Sequence, residues 1–167
     1  MEIAIIGGGA SGLVAAIAAK NENTSVTIYE KEKRVGRKIL ATGNGRCNMT
    51  NVNATEADYH GCDTSFMRGA INRFWVQETL DFFTELGVLW KEEEEGKVYP
   101  YSDTASSVLD VLRRKADASG IKTECEFAVK NIRKQNDGFL IEDGNGNRRV
   151  CDRVIIATGG KAGSTLG

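Results

Sequence analysis

Residues 3–6 form a continuous apolar run, the pattern of a strand buried on both faces, and residues 25–30 form a second, β-branched run. Between them residues 11–20 are alanine-rich, with Leu13, Val14 and Ile17 on one helical face, so the chain opens strand, helix, strand. From residue 66 to 88 apolar positions recur at helical spacing: Phe66, Ile71 and Phe74, then Leu80, Phe83 and Leu86. That spacing predicts two helices or one broken one. GVLWKEEEEGKVYPYS reads as strand, acidic turn and strand, ended by Pro100. Thr104 or Ser106 is placed to cap a helix through Ala118, whose Val108, Leu109, Val111 and Leu112 share a face, and Gly120 stops it. Short strands are expected at 121–125, 128–133, 139–142 and 148–151, parted by the hairpin signals NDG and DGNGN, as one antiparallel meander. RVIIATGG then closes the pattern with a buried strand that runs into glycine.

The first strand and helix are joined by Gly7, Gly9 and Gly12 in a G-x-G-x-x-G arrangement. There the first glycine permits a tight turn, the second lets the backbone approach a pyrophosphate, and the third lets the helix pack on the strand. The helix start, at Ala10 and Ser11, would face the phosphates with free amides and the positive end of the dipole. Glu30, ending the second strand, is the acid expected to bind ribose hydroxyls, and a carboxylate there disfavours a 2′-phosphate. The alternative is a glycine-rich turn that merely packs a helix on a sheet, with Glu30 solvated; the agreement of strand, glycines, helix, second strand and acid favours the dinucleotide site. The motif does not distinguish NAD from FAD.

At 167 residues the chain fits one α/β domain with a real core and needs no disulfide staples. Lys and Arg number 22 against 23 Asp and Glu, so no global field recruits nucleic acid or an anionic membrane. Cys47, Cys62, Cys125 and Cys151 form no CxxC pair, and the chain opens on a strand-like run, which points to a reducing cytoplasm. No apolar run approaches the roughly 20 residues of a membrane span. Glu92, Glu93, Glu94 and Glu95 read as a solvated tip rather than a cation cage. His60, close to Cys62 in DYHGCD, lacks the further ligands a metal needs, so no metal site is expected. Trp75, Phe82 and Phe83 read as core rather than as a stacking platform for nucleic acid.

The stretch GRKILATGNGRCNMTN follows neither a helical nor a strand period. Within EKEKRVGRKILATGNGRCNMTN, and together with GKVYPYSDTASSVLDVL and VIIATGGKAGST, it resembles the BaiN-like, aminoacetone-oxidase-type family of NAD(P)/FAD-dependent oxidoreductases along essentially the whole chain. A meander leading into a strand that ends ATGG is similar to FAD domains of the glutathione-reductase type. The resemblance implies a Rossmann-like FAD-binding domain over residues 1–167, a parallel sheet with helices and an antiparallel β-meander, and an inserted helical and hairpin segment at about 52–103. It implies FAD as cofactor, with the backbone near Val129 beside the adenine and Ala157, Thr158 and Gly159 by the pyrophosphate. Lys31, Arg37, Lys38 and Arg46 would supply cations to phosphates and flavin. Gly43, Asn44, Gly45, Cys47 and Asn48 would shape the loop or bond the cofactor.

The expected activity is hydride or electron transfer through flavin N5, with a small-molecule substrate and NAD(P)H as electron donor. Cys47 lacks the neighbouring cysteine that disulfide chemistry in this fold uses, so it reads as a small residue fitted beside the cofactor. No catalytic acid or base can be named from the residues. Family members continue into a substrate-side domain and return to the FAD domain, so the chain is expected to be incomplete relative to the family. An FAD-dependent RNA-modifying enzyme and a non-catalytic nucleotide-binding fragment are the alternatives, and the near-neutral charge argues against RNA.

Overall fold

The structure is a computed structural model that describes residues 1–61 and 63–160. In chain order its elements are β1 (Glu2–Ile6), α1 (Ala10–Ala19), β2 (Ser25–Tyr29), β3 (Thr50–Asn51), α2 (Arg68–Ile71), α3 (Val76–Glu85), β4 (Trp90–Glu92), β5 (Lys97–Pro100), α4 (Ala105–Ala118), β6 (Lys122–Glu124), β7 (Val129–Gln135), β8 (Gly138–Asp143), β9 (Arg148–Cys151) and β10 (Arg153–Ile156). They fall into two compact units, one made of Met1–Ile39 with the chain from Leu112 onward, the other of Leu40–Val111. The segment expected as an insertion at about 52–103 belongs to the second of these.

The first unit is a Rossmann-type domain. Its parallel sheet has the order β10-β1-β2-β6, with Ile3 opposite Val26 on one side and Arg153 on the other. Buried strands of a parallel sheet carry apolar side chains on both faces, and Ile5 and Ile28 are fully enclosed. α1 packs on β1 and β2, burying Leu13 and Ala16. Ala4, Ile6 and Tyr29 form a cluster with Phe127, Ile141 and Cys151, through which the antiparallel meander β7-β8-β9 covers the sheet. The Tyr29 and Phe127 rings lie 5.0 Å apart. Arg149 on β9 adds a polar tie, donating to the two Glu124 carboxylate oxygens at 3.2 and 3.0 Å.

The structure differs from the sequence pattern at residues 121–125. These were expected to begin the meander, but β6 joins the parallel sheet beside β2, with Thr27 opposite Lys122 and Tyr29 opposite Glu124. Its apolar content is low and its hairpin-like neighbours are misleading; what decides the pairing is the helical crossover through α4, which returns the chain parallel to β2. α4 ends in a Schellman arrangement, with Ile121 N–H on Ala116 O and Gly120 N–H on Asp117 O, and this turns the chain into β6.

The second unit contains a small antiparallel sheet in the order β3-β5-β4, against which α3 packs through β3. Leu80, Val88 and Val98 are buried within it. Trp75, Phe82 and Phe83 are half-buried rather than core, and Phe82 contacts Phe74 and Phe83 edge-on. Among the described residues no helix is long and apolar enough to cross a membrane.

The stability of the first unit should follow burial in the sheet. Ile28→Ala, at a site with 0% exposure, is expected to cost about 2–5 kcal/mol. Ile156→Ala, at 68% exposure, should stay within about 0.5 kcal/mol. Urea unfolding followed by far-UV circular dichroism checks both.

Candidate dinucleotide-binding site

In an open parallel sheet, ligands lie beyond the carboxyl ends of the strands where the strand order reverses. Here that point lies between β1 and β10, and the loops after both strands carry glycine. Gly7 N–H donates to Tyr29 O at 2.8 Å, and Ala157 N–H donates to Ile6 O at 2.8 Å. A Cβ on Gly7 would lie 2.5 Å from Ala157 O, and one on Gly12 would lie 1.8 Å from Gly7 O. No larger residue fits either place, so α1 starts directly against the ends of both strands. At Gly9, by contrast, a Cβ would meet nothing within 4 Å among the described residues, and the same holds at Gly159, where φ is +76°. The first backbone bond of α1 is Leu13 N–H to Gly9 O. Its first-turn amides therefore carry unspent donors and the positive end of the dipole into this open space.

Glu30 is buried at the end of β2. Its Oε2 accepts Gly8 N–H at 2.6 Å and its Oε1 accepts Glu32 N–H at 3.0 Å. An ionised carboxylate has about four acceptor positions, so these two bonds fix its orientation and leave capacity for a ligand. The following loop is held over Gly8 by Gly36 N–H, which donates to Gly8 O at 2.7 Å. Lys31, Arg37 and Lys38 project from this loop as exposed side chains. Arg37 pairs with Glu32 at 3.0 Å and Lys31 approaches it at 3.7 Å. Lys38 has no carboxylate partner among the described residues. Val129 begins β7 and packs against the Tyr29 and Phe127 cluster.

Gly43, Asn44, Gly45, Arg46, Cys47 and Asn48 belong to the second unit. Gly43, Asn44, Gly45 and Cys47 all have positive φ, and this explains why neither helical nor strand periodicity shows in the sequence there. Asparagine tolerates the left-handed region, whereas cysteine seldom occupies it. Cys47 is buried, and burial pushes its thiol pKa up, which keeps it protonated and unreactive.

The guanidinium of Arg46 is held by Glu93 at 2.5 Å and by Asp103 at 2.5 and 3.0 Å, and it stacks over Tyr99 at 4.1 Å. Lys91 joins the same carboxylates, at 2.7 Å to Asp103 and 3.2 Å to Glu93. Thus Glu93 is not part of a merely solvated tip, and the charge of Arg46 is met within its own unit.

The structure brings Gly7, Gly9, Ala10, Ser11, Gly12, Glu30, Ala157, Thr158 and Gly159 to one end of the first unit. It adds Gly8, which sequence reasoning passed over: a Cβ there would lie 2.4 Å from Val35 Cγ1 and 3.1 Å from Glu30 Oε2. The run of three glycines was the available signal. Among the described residues no group of His, Cys, Asp or Glu is arranged to hold a metal ion. Cys62 lies outside the described residues, as does the end of VIIATGGKAGST, from residue 161 onward.

Residues 1–167 match the family described as "HI0933-like protein Rossmann domain". The chain is 45% identical to the 3-dehydro-bile acid delta(4,6)-reductase of Clostridium scindens, over 99% of this chain and 40% of that protein. It is 31% identical to the ribosomal RNA dihydrouridine synthase of Escherichia coli, over 98% of this chain and 40% of that one. The chain thus spans about two fifths of the length of these relatives. Among solved structures, Thermovibrio ammonificans THI4 shares the fold with a TM-score of 0.60 at 20% identity, over 96% of this chain and 58% of that one. The bacillithiol disulfide reductase Bdr of Staphylococcus aureus gives a TM-score of 0.50 at 23% identity, over 95% of this chain and 38% of that one.

The ion network of the second unit carries a pH dependence. Lys91 and Arg46 hold the Asp103 carboxyl below its ordinary pKa, and Arg46 and Lys91 do the same for Glu93. A depressed folded-state pKa contributes stability above the unfolded value, near 4, and that contribution is lost as pH falls through the folded value. Thermal melts over an acid series should therefore fall more steeply for the wild type than for Asp103→Asn, and added salt should narrow the difference.

Proposed function

The chain belongs to the HI0933-like Rossmann-domain family, and from that premise we propose that it is the FAD-binding part of a flavoprotein oxidoreductase. The observation that carries the reading is the open space at Gly9, at the start of α1 and next to Gly8, whose amide donates to Glu30. The residues fit FAD. Gly9 and Gly159 leave room for a pyrophosphate, the first-turn amides supply donors to it, and the free acceptor positions of Glu30 match a ribose diol. Lys38, which has no carboxylate partner among the described residues, is free to balance phosphate charge. When bound, FAD supplies hydride transfer through flavin N5. The residues of this unit bind the adenosine and pyrophosphate portions and thereby orient the ring system.

The names of the relatives narrow the reaction. A delta(4,6)-reductase acts on carbon–carbon double bonds of a ketone, and a dihydrouridine synthase makes the reduced form of a uracil ring. Both names describe adding two hydrogens across a double bond conjugated to a carbonyl. We assign the same class here, with NAD(P)H as reductant and a small conjugated carbonyl compound as substrate. Our reading puts the chain in the BaiN-like branch; its 45% identity to the bile-acid reductase supports this. An RNA substrate is the second reading, favoured by the dihydrouridine synthase relatives, but the formal charge of -1 offers little for a phosphate backbone. Free Cys47, Cys125 and Cys151 accord with a cytoplasmic location.

Titration of FAD into the purified chain, followed by flavin fluorescence, tests the cofactor. Saturable binding is expected. Glu30→Ala should weaken it about 10–100-fold, as loss of a charge-assisted hydrogen bond does. Gly9 has φ of -77, so Gly9→Val should fold normally yet abolish binding by filling the phosphate space. A wild-type chain that binds no FAD would sink the proposal.

A further inference from the structure

We infer that Arg113, on α4, is a positioning residue for the adenosine ribose: it fastens the loop after β2 over Gly8 and so fixes the aim of the Glu30 carboxylate. The inference rests on the reading of Glu30 as the ribose acceptor. Arg113 Nη2 donates to Val35 O at 2.6 Å. Val35 is buried, with Cγ1 only 2.4 Å from where a side chain on Gly8 would begin. The next residue, Gly36, donates its N–H to Gly8 O at 2.7 Å, and Gly8 N–H in turn donates to Glu30 Oε2 at 2.6 Å. An unbroken line of contacts therefore runs from the guanidinium through Val35, Gly36 and Gly8 to the carboxylate.

The loop needs such a fastening. Lys31, Lys33, Arg34, Arg37 and Lys38 are all exposed on it and repel one another, with Glu32 as the acid among them. Residues 31–38 have no strand partner. One end is tied where Glu126 N–H donates to Glu32 O at 3.1 Å. The centre is tied by Arg113, a half-buried cation that meets no carboxylate among the described residues and is committed instead to a backbone carbonyl. A hydrogen bond from an ionised donor is stronger than a neutral one, and hydrogen bonds weaken steeply with misalignment. Release of Val35 would let the Gly36–Gly8 pair shift and move Glu30 off its line to the ribose.

The test is calorimetric titration of the purified chain with ADP and with 2′-deoxy-ADP. The wild type should prefer ADP by about tenfold, the effect of one charge-assisted hydrogen bond. In Arg113→Met the preference should fall below about threefold while the melting temperature stays near that of the wild type, an outcome that general loosening of the fold would not produce. Arg113→Lys, which keeps the charge but not the planar fork, should lie between them. If Arg113→Met retains the wild-type preference, or if it does not fold and Arg113→Lys retains it, the positioning role is overturned. A wild type that binds no ADP, or binds both nucleotides equally, overturns the ribose reading itself and the inference with it.

Discussion

The contact on which the binding end of the first unit depends is the near-collision of backbones at Gly7. Its amide is bonded to Tyr29 O, its α-carbon faces Ala157 O, and its own carbonyl sits where a side chain on Gly12 would begin. Three chain segments thus meet with no side chain between them. This lets α1 start immediately above the sheet, and its unspent amides reach the space beyond the strands. A bulkier residue at Gly7 or Gly12 would push helix and strand apart and take those amides away from that space.

Electrostatics is arranged locally in both units. In the first, the carboxyl group of Glu30 is buried yet accepts two backbone amides, so its orientation is fixed by hydrogen bonds and not by a cationic side chain. In the second, Arg46 and Lys91 are balanced by Glu93 and Asp103 in a partly exposed cluster. Exposed ion pairs contribute little individually. Their value here is geometric: with Arg46 stacked on Tyr99 and bonded to two acids, the left-handed run around Gly43 to Cys47 has a fixed neighbour on one side.

Much of the first unit was legible because its signals are local. The apolar run of β1, the glycines, the alanine-rich α1 and Glu30 follow each other within one strand–helix–strand unit, and each residue's role depends on near neighbours. The meander was legible for the same reason, since NDG and DGNGN impose hairpins. The assignment of residues 121–125 failed because strand pairing after a long crossover is a long-range property. A short strand of Lys122, Thr123 and Glu124 carries no pattern that names β2 as its partner. The half-burial of Trp75, Phe82 and Phe83 was likewise hidden, since helical spacing shows which residues share a face but not how much covers it.

The sequence by itself determined that a dinucleotide-type turn joins a buried strand to a helix, that an acid ends the next strand, and that the stretch around Gly43 to Asn48 is irregular. These follow from steric rules acting over a few residues. Only the tertiary structure decided that Gly8 is crowded by Val35 and Glu30, that β6 lies beside β2, that Arg46 meets Glu93 and Asp103, and that Arg113 reaches Val35. Each of those is a contact between residues far apart in the chain, and composition and periodicity carry no information about such pairs until the backbone brings them together.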